Sequence, residues 1–201
     1  MKVGLIDYGA GNLRSIKNAL TLLKAETLIV EKPEQLADVD AIILPGVGNF
    51  GDAMEKLKDF RKPLEDAISS GVPFMGLCLG IQILLEGSDE SPGAEGLGIF
   101  EGRCERLPRR VKIPHMGWNA LDIVRDDPIL GGLKDGDDVY FVHSYFPNPK
   151  DKRLIIAETD YGLRFPSLIG DGTVYATQFH PEKSGKNGLK ILDNFLSIGR
   201  K

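Results

Sequence analysis

Nearly continuous apolar segments recur through the first eighty residues, and amphipathic segments separate them. The apolar segments are VGLID (3–7), TLIV (27–30), AIILPG (41–46) and VPFMGLC (72–78). Such runs are typical of parallel strands that are buried on both faces. Apolar residues at helical spacing predict one helix over about residues 13–24 and a second over about 53–68, interrupted by Pro63. Alternating strands and helices predict βαβ units and a parallel sheet.

The second half of the chain carries a different pattern. Residues 86–98 are rich in Gly, Ser and acidic residues, which predicts a loop. The strand candidates that follow are VYFVHSYF (139–146), LIIAET (154–159), PSLIG (166–170) and TVYATQF (173–179). A tight turn is expected at Asp171-Gly172, and apolar spacing predicts a closing helix over about 186–198. We therefore expect one three-layer α/β domain over residues 1–201, with a mostly parallel central sheet and added antiparallel strands.

Composition narrows the classes of function. The chain has 42% hydrophobic and 27% charged residues and a formal net charge of −4, with no block of like charges. This balance is typical of a globular protein and argues against nucleic acid or an anionic membrane as the main partner. The N-terminal MKVGLIDYG predicts a buried strand, not a signal peptide, and no apolar run reaches the ~20 residues that a membrane-spanning helix needs. We therefore predict a cytoplasmic protein.

Cysteine and histidine are few. The chain has two Cys and three His, with no CxxC pair and no close pair of His, so we predict neither a disulfide framework nor a metal site. Gly9-Ala10-Gly11-Asn12 resembles a dinucleotide-binding loop, but Arg14 stands where a third glycine is expected, and we predict no nucleotide or other cofactor. One cysteine in an unusual local setting, with His and acids elsewhere, satisfies the condition for a cysteine nucleophile.

The unusual setting is Gly76-Leu77-Cys78-Leu79-Gly80, at the end of an apolar strand and the start of a helical pattern. This G-x-C-x-G arrangement is the thiol version of the nucleophile elbow, a sharp strand-to-helix turn whose glycines avoid collisions with neighbouring backbone. The turn would place the thiol at a helix N-terminus, where the dipole favours the thiolate. The alternative interpretation is a buried cysteine among glycines that only permit close packing.

His180-Pro181-Glu182 follows the last strand candidate. A nucleophilic thiol needs an imidazole to accept its proton, and the imidazole needs an acid that fixes its tautomer. With one residue between them, His180 and Glu182 can point the same way from an extended segment that Pro181 restricts. In isolation, this tripeptide would instead favour a surface loop with an exposed His and Glu.

Pro45-Gly46-Val47-Gly48 ends another strand candidate. Ligand sites of α/β sheets lie beyond the carboxyl ends of the strands, where both this loop and Cys78 fall. A glycine-rich loop can turn a backbone N–H toward an oxyanion, although it can also be an ordinary turn. We interpret His143 as a structural strand residue and Cys104, which has no glycine setting, as unreactive. The segment PHMGWN (114–119) fits either a shaped surface loop or core packing.

Taken together, GLCLGIQ, PGVG and FHPEKSG resemble the signatures of the class I (triad) glutamine amidotransferases. PHMGWN and VHSYF narrow the resemblance to the glutaminase subunits of imidazole glycerol phosphate synthases, from histidine biosynthesis. The resemblance extends from GLIDYGAGNLRS to FHPEKSGKNG, with Ile81 where the family often has Met. It implies a flavodoxin-like three-layer domain of the amidotransferase type.

The resemblance implies catalytic roles that fit the pattern of residues. Cys78 would attack the side-chain amide of L-glutamine, His180 would transfer the proton to the leaving ammonia, and Glu182 would orient the imidazole. A γ-glutamyl thioester would form, and water would then release glutamate. The N–H of Leu79 and an N–H in the Gly46-Val47 segment would hold the oxyanion.

Further residues are implied for the substrate. The ammonium of glutamine needs an anion, for which the family pattern indicates Glu90, with Asp89 as a second candidate because loop register is uncertain there. Gln82 and the backbone of Ser144 and Tyr145 would make the remaining contacts.

The resemblance also implies a partner. Ammonia released in water is protonated, and 201 residues leave no room for a second catalytic domain, so a protected path into another subunit is expected. In this family the partner is a cyclase with a (β/α)₈ barrel, which forms a heterodimer with the glutaminase and makes imidazole glycerol phosphate and an aminoimidazole carboxamide ribotide. The family pattern indicates as partner-facing residues Asn12, His115, Met116, Trp118, Tyr140 and Lys183.

Other interpretations remain open from the sequence. Glutaminase subunits of anthranilate or aminodeoxychorismate synthase share the elbow and the HPE segment, and a γ-glutamyl hydrolase would share the thiol chemistry. PHMGWN and Lys183 argue against these. A non-catalytic flavodoxin-like binding module would retain Cys78 only as a buried residue. If the chain is a glutaminase, we expect the Pro45–Gly48 loop of the free subunit to lack the oxyanion N–H until partner binding reorients it.

Overall fold

A computed structural model describes residues 1–199, so the last two residues of the predicted 1–201 domain lie outside the described part. Its α-helices are α1 Leu13–Leu22, α2 Phe50–Lys56, α3 Arg61–Ser69, α4 Leu79–Ile83 and α5 Gly185–Ile198. Its strands are β1 Lys2–Ile6, β2 Glu26–Val30, β3 Ala41–Leu44, β4 Phe74–Leu77, β5 Gly87–Ser88, β6 Gly102–Arg106, β7 His115–Ala120, β8 Asp122–Ile123, β9 Asp138–His143, β10 Tyr145–Pro149, β11 Ile155–Asp160, β12 Arg164–Asp171 and β13 Val174–Thr177. Short 3-10 turns lie at Pro33–Asp38, Pro128–Leu130, Lys152–Leu154 and Pro181–Lys183.

An eight-stranded central sheet has the order β2-β1-β3-β4-β13-β12-β11-β8. The first five strands pair in parallel. The remaining pairs, from β13 outward to β8, are antiparallel. Two small sheets, β10-β6-β5 and β7-β9, lie outside it. The predicted mostly parallel sheet with added antiparallel strands is therefore confirmed.

Two hydrophobic clusters cover the two faces of the central sheet. Neighbouring strand residues alternate between them: Leu5 belongs to the cluster that includes α1 and α5, whereas Ile6 belongs to the cluster that includes α2, α3 and α4. The side-chain period of two in a strand produces this alternation. The parallel strands are continuously apolar because both of their faces are covered, and the domain has the expected three layers.

The helical pattern over residues 53–68 forms two helices, not one interrupted helix. The break lies at residues 57–60, between α2 and α3, and Pro63 lies in the first turn of α3. A proline is tolerated there because the first backbone N–H groups of a helix have no intrahelical acceptor. The sequence prediction therefore placed the interruption at the wrong residue.

The predicted strand VYFVHSYF is divided at Ser144. Its first part, β9, pairs with β7, and its second part, β10, pairs with β6 in a different sheet. The hydrophobic pattern is continuous across the division because residues of both parts are buried. The chain therefore turns at Ser144, beside the cavity described below.

Helix α5 packs unusually close to the turn that carries His180 and Glu182. A Cβ atom added to Gly188 would overlap the Pro181 carbonyl oxygen and lie 2.7 Å from the Pro181 carbonyl carbon. The glycine thus permits the helix to support this turn at backbone contact distance.

We expect Gly188→Ala to lower the free energy of unfolding by about 1–3 kcal/mol. Alanine gains about 1 kcal/mol of helix propensity over glycine, but the collision with rigid backbone outweighs it. Gly93→Ala is the matched control, because no atom lies within 4 Å of its added Cβ. Chemical denaturation of both variants measures the effect, and equal stability of the two would contradict the close-packing argument.

Candidate active site

A cavity of about 240 Å³ lies where several strands end. The loop after β3, the turn after β4 and the segment after β13 all contribute to it, as the general location of ligand sites in α/β sheets predicts. Of the residues predicted from the sequence, those that line it are Val47, Cys78, Leu79, Gln82, Glu90, Ser144, Tyr145, His180 and Lys183. Separate sequence motifs thus converge on one cavity.

Cys78 occupies the turn between β4 and α4. It has a φ of 55°, a left-handed conformation that costs a non-glycine residue about 1–3 kcal/mol. A Cβ on Gly76 would lie 2.7 Å from the carbonyl carbon and oxygen of Gly80, so a side chain there would push the turn open. The Cys78 N–H donates to the Thr177 carbonyl at 2.8 Å, which ties the turn to β13. The strained turn presents the thiol to the cavity.

His180 and Glu182 form the acid–base pair that their spacing predicts. Nδ1 of His180 lies 2.9 Å from Oε1 of Glu182, and the two side chains are 6% and 2% exposed. Burial alone would lower the pKa of His180, but its interactions with the Cys78 thiol and the Glu182 carboxylate outweigh burial and raise the pKa to about 10. The protonated imidazole is therefore the favoured form when a thiolate lies beside it.

The Cys78 thiol has two further neighbours that the sequence did not single out. Its Sγ lies 3.6 Å from the Val142 carbonyl oxygen, and Nε2 of Gln178 lies 3.9 Å from Sγ. Gln178 is fully buried, and its Oε1 has no hydrogen-bond partner. Gln178 could have been noticed in the sequence as a polar residue near the end of the apolar run TVYATQF, because a buried amide normally needs hydrogen-bond partners.

The proposed oxyanion donors are not aimed at the thiol in this structure. The Leu79 N–H donates to the Gly46 carbonyl at 3.3 Å. Because a trans peptide points its C=O and N–H in opposite directions, the Val47 N–H is turned away from that position. In this conformation the Leu79 N–H is therefore occupied.

The residues predicted to bind substrate also line the cavity. Nε2 of Gln82 donates to the Tyr145 carbonyl at 3.3 Å, and its Oε1 is buried without a partner. Glu90 accepts a bond from the Phe50 N–H at 2.7 Å and lines the cavity. Asp89 is exposed and does not line it, which favours Glu90 of the two candidate carboxylates.

The residues predicted to face a partner are mostly exposed. Met116 and Trp118 are 62% and 57% exposed, and the Trp118 ring packs edge-on against Tyr140 at 5.9 Å. Lys183 is exposed beside the cavity. Asn12 is also exposed and caps α1 by accepting the Ser15 N–H.

His115 does not belong to this exposed set. Its side chain is 3% exposed and stacks on Tyr161 at 3.9 Å, so its placement on a partner face was wrong. Alternate residues of β7 point to opposite faces, and His115 therefore points inward when Met116 and Trp118 point outward. Gly117 obscures this alternation in the sequence.

Within residues 1–199, no helix is long and apolar enough to cross a membrane. In the same part of the chain, no three His, Cys, Asp or Glu side chains are grouped so that they could hold a metal ion.

Comparison with known proteins agrees with the fold and the cavity. The family model for class-I glutamine amidotransferases matches residues 4–198, and the chain therefore belongs to this family. The chain is 50% identical to imidazole glycerol phosphate synthase subunit HisH of Methanocaldococcus jannaschii, over 98% of this chain and 99% of the relative. It is 49% identical to subunit HisH of Methanothermobacter thermautotrophicus with the same coverage. These relatives confirm the narrower resemblance indicated by PHMGWN and VHSYF.

Solved structures share the fold at lower sequence identity. A glutamine amidotransferase crystal structure aligns with a TM-score of 0.78 at 23% identity and covers 99% of both chains. PurLQS from Thermotoga maritima aligns with a TM-score of 0.79 at 20% identity, over 98% of this chain and 97% of the other.

Replacing Glu182 by Gln tests the electrostatics of the acid–base pair. The variant removes the negative charge but keeps an oxygen that can accept the Nδ1–H bond. We expect the pKa of His180 to fall from about 10 by roughly 1–3 pH units, because an opposite charge no longer favours the imidazolium. An NMR titration of the His180 ring protons measures it. Glu55→Gln, at an exposed carboxylate beside Lys58, is the control, and an unchanged His180 in Glu182→Gln would contradict the pairing.

Proposed function

We propose that this chain is the glutaminase subunit of an imidazole glycerol phosphate synthase. It hydrolyses L-glutamine to glutamate and ammonia and supplies the ammonia to a cyclase subunit in histidine biosynthesis. The observation that carries the proposal is the convergence of Cys78 and His180 at one strand-end cavity, with Glu182 buried against His180 at 2.9 Å. The 50% identity to HisH subunits supports the choice of synthase.

The triad performs the chemistry in two stages. The Cys78 thiolate attacks the side-chain amide carbon of glutamine, and the protonated His180 gives its proton to the departing nitrogen, so that ammonia leaves and a γ-glutamyl thioester remains. His180, now neutral, takes a proton from water as the water attacks the thioester, and glutamate leaves with the thiolate restored. Glu182 accepts the Nδ1–H bond and thereby keeps Nε2 as the reacting nitrogen. None of these steps requires a metal or cofactor.

The oxyanion of each tetrahedral intermediate needs backbone donors. Rotation of the Gly46-Val47 peptide would break the present Leu79 to Gly46 bond, free the Leu79 N–H and turn the Val47 N–H toward the thiol. Gly48 follows directly, with a φ of 99°, and can absorb such a change in backbone angle. One lost donor typically costs about 10²–10³ in kcat, so the loop conformation can control the rate.

The substrate contacts follow from charge. Glu90 supplies the anion for the glutamine ammonium, and Gln82 with the backbone of Ser144 and Tyr145 supplies contacts to the remainder of the amino acid. All four line the cavity. The unpartnered Oε1 of Gln82 is a free acceptor at the wall.

The exposed apolar residues support a partner surface. Met116 and Trp118 are exposed on β7, the Trp118 ring packs against Tyr140, and exposed Trp and Met of this kind are enriched at interfaces. We propose that the cyclase, a (β/α)₈ barrel, docks there to form a cytoplasmic heterodimer, with the 1–201 chain as one amidotransferase domain. Docking would let ammonia pass without meeting bulk water.

The rival functions fit less well. The HisH relatives match almost end to end, which favours this synthase over anthranilate or aminodeoxychorismate synthase. A non-catalytic module would not explain why a charged Glu182 is buried against His180 beside a strained cysteine, since burial of a charge without a role is costly.

Cys78→Ala tests the nucleophile. We expect glutamine-dependent synthesis by the complex with the cyclase to fall by roughly 10³-fold or more, because no thioester can form. Synthesis from added ammonium salt should continue, since the cyclase site is untouched. Cys104→Ala is the control thiol, and persistence of glutamine-dependent turnover in Cys78→Ala would remove Cys78 from the mechanism.

A second test addresses the partner. The isolated chain should hydrolyse glutamine very slowly, because the Leu79 N–H is occupied by Gly46. Addition of the cyclase with its ligand should raise the rate by roughly 10²-fold or more, the value of one restored oxyanion donor. Steady-state glutamate release with and without the cyclase measures this, and rapid hydrolysis by the chain alone would instead indicate an independent hydrolase.

A further inference from the structure

Two histidines lie side by side at the cavity, outside the proposed triad: His143 lines the cavity, and the buried His115 contacts His143. His115 of β7 and His143 of β9 are directly paired across the two strands. Their side chains are 3% and 5% exposed, and Nδ1 of His115 lies 2.9 Å from Nε2 of His143. The other nitrogen of His143, Nδ1, lies 2.9 Å from the Tyr145 carbonyl oxygen. The ring nitrogens of the two histidines and the Tyr145 carbonyl thus form a continuous series of hydrogen bonds, which we call the hydrogen-bond chain.

The positions of the ring N–H protons can be assigned from the groups at the two ends of the hydrogen-bond chain. A carbonyl oxygen only accepts, so Nδ1 of His143 carries a proton and donates to Tyr145. In a neutral ring, Nε2 of His143 is then an acceptor, and Nδ1 of His115 must donate to it. At the far end, Oδ1 of Asn119 accepts the Ala120 N–H, so its Nδ2 faces Nε2 of His115 as a donor at 3.4 Å. Every hydrogen bond is therefore donated in the same direction, from Asn119 toward Tyr145.

Both rings are neutral in the folded protein. Burial lowers the pKa of His143 to about 3 and that of His115 to about 4. Stacking of His115 against Tyr161 and Phe141 holds its ring plane, at centroid distances of 3.9 and 4.8 Å. A neutral ring in a fixed plane has one donor and one acceptor, which is what the directed chain requires.

The hydrogen-bond chain ends at Tyr145, which lines the cavity. The Tyr145 carbonyl accepts from His143 and also from Gln82, so both of its lone pairs are used. The Leu107 N–H donates to the Ser144 carbonyl at 2.9 Å, which makes Tyr145 and Arg106 a non-hydrogen-bonded pair of the β10–β6 ladder. The N–H of Tyr145 consequently points away from β6, on the same side as its carbonyl.

We propose that His115 and His143 are positioning residues for glutamine. His115 bonds His143, His143 occupies one lone pair of the Tyr145 carbonyl and Gln82 occupies the other, so that the segment 144–145 offers the cavity an N–H and no free carbonyl lone pair. A backbone segment with a free N–H and no free carbonyl lone pair can bind the α-carboxylate of an amino acid, whereas an unsatisfied carbonyl oxygen would repel it. This inference rests on the proposed glutaminase function and adds to it the residues that determine glutamine affinity.

His115→Phe is the principal variant, because it retains a flat ring between Tyr161 and Phe141 but donates nothing to His143. Without that donor, Nε2 of His143 is a buried acceptor with no partner, and the His143 ring loses the bond that holds its Nδ1 at the Tyr145 carbonyl. In the complex with the cyclase and its ligand, we expect the KM for glutamine to rise roughly fivefold to tenfold, the value of about one net hydrogen bond. We expect kcat to change by less than about twofold, since the triad is untouched.

Matched variants separate positioning from packing. Tyr161→Leu removes the stacking on His115 but none of the bonds in the chain, and it should lower stability while the KM stays within about twofold of the parent. His143→Asn retains a donor near the position of Nδ1, whereas His143→Leu removes it, so the KM should be largely rescued in the first and raised in the second. A KM in His115→Phe equal to that of Tyr161→Leu would overturn the proposal.

The proton positions can be measured without any activity. With only three histidines, the ring ¹⁵N signals of the isolated chain can be assigned by single substitutions. At pH 7 we expect both His115 and His143 as neutral Nδ1–H tautomers. An Nε2–H tautomer or an imidazolium at His143 in the parent would overturn the inference. If the parent complex does not hydrolyse glutamine at all, the proposed function fails, but the measured tautomers still test whether the hydrogen-bond chain has the assigned proton positions.

Discussion

The backbone of the loop after β3 touches the backbone of the Cys78 turn, and the site depends on this contact. A Cβ on Gly46 would lie 2.5 Å from Cβ of Leu79, and a Cβ on Gly80 would overlap the Leu44 carbonyl oxygen. Two glycines therefore allow two strand ends to meet at van der Waals distance. The same closeness lets the Gly46 carbonyl bond the Leu79 N–H, so one steric condition fixes both the thiol and its neighbouring donor.

Local steric and spacing rules made the triad predictable, whereas residues that depend on tertiary pairing were not. The elbow around Cys78 and the His180–Glu182 pair are each encoded within a few consecutive residues, so their geometry follows from the local sequence. The inward face of His115 depends on how β7 pairs with β9, and Gly117 interrupts the alternation that would have indicated it. The roles of Gln178 and the division at Ser144 depend on neighbours distant in the chain. The sequence predicted a mostly parallel sheet but not the order of its strands, because an apolar run does not specify which strand it pairs with.

Three histidines within one region have very different proton affinities, and their surroundings explain the difference. His180 is buried but faces an acidic Glu182 and a thiol that can ionise, so the charged ring is favoured despite burial. His143 and His115 face each other, a backbone carbonyl and aromatic rings, with no carboxylate in their hydrogen-bond chain. Burial then dominates and both rings stay neutral. The surroundings thus favour the charged form of His180 and the neutral forms of His115 and His143.

Strand β9 joins the exposed aromatic residues to the turn that carries His180 and Glu182 through backbone hydrogen bonds. The Tyr140 carbonyl accepts the His180 N–H at 2.9 Å, and the Tyr140 N–H donates to Oγ of Ser184 at the same distance. Oγ of Ser184 in turn donates to the His180 carbonyl at 2.6 Å, which closes a ring of bonds around the turn. Two residues further along β9, the Val142 carbonyl lies against the Cys78 thiol. Because Tyr140 packs on the exposed Trp118, the backbone that supports this aromatic pair is the same six-residue strand that bonds the His180 N–H and contacts the Cys78 sulfur.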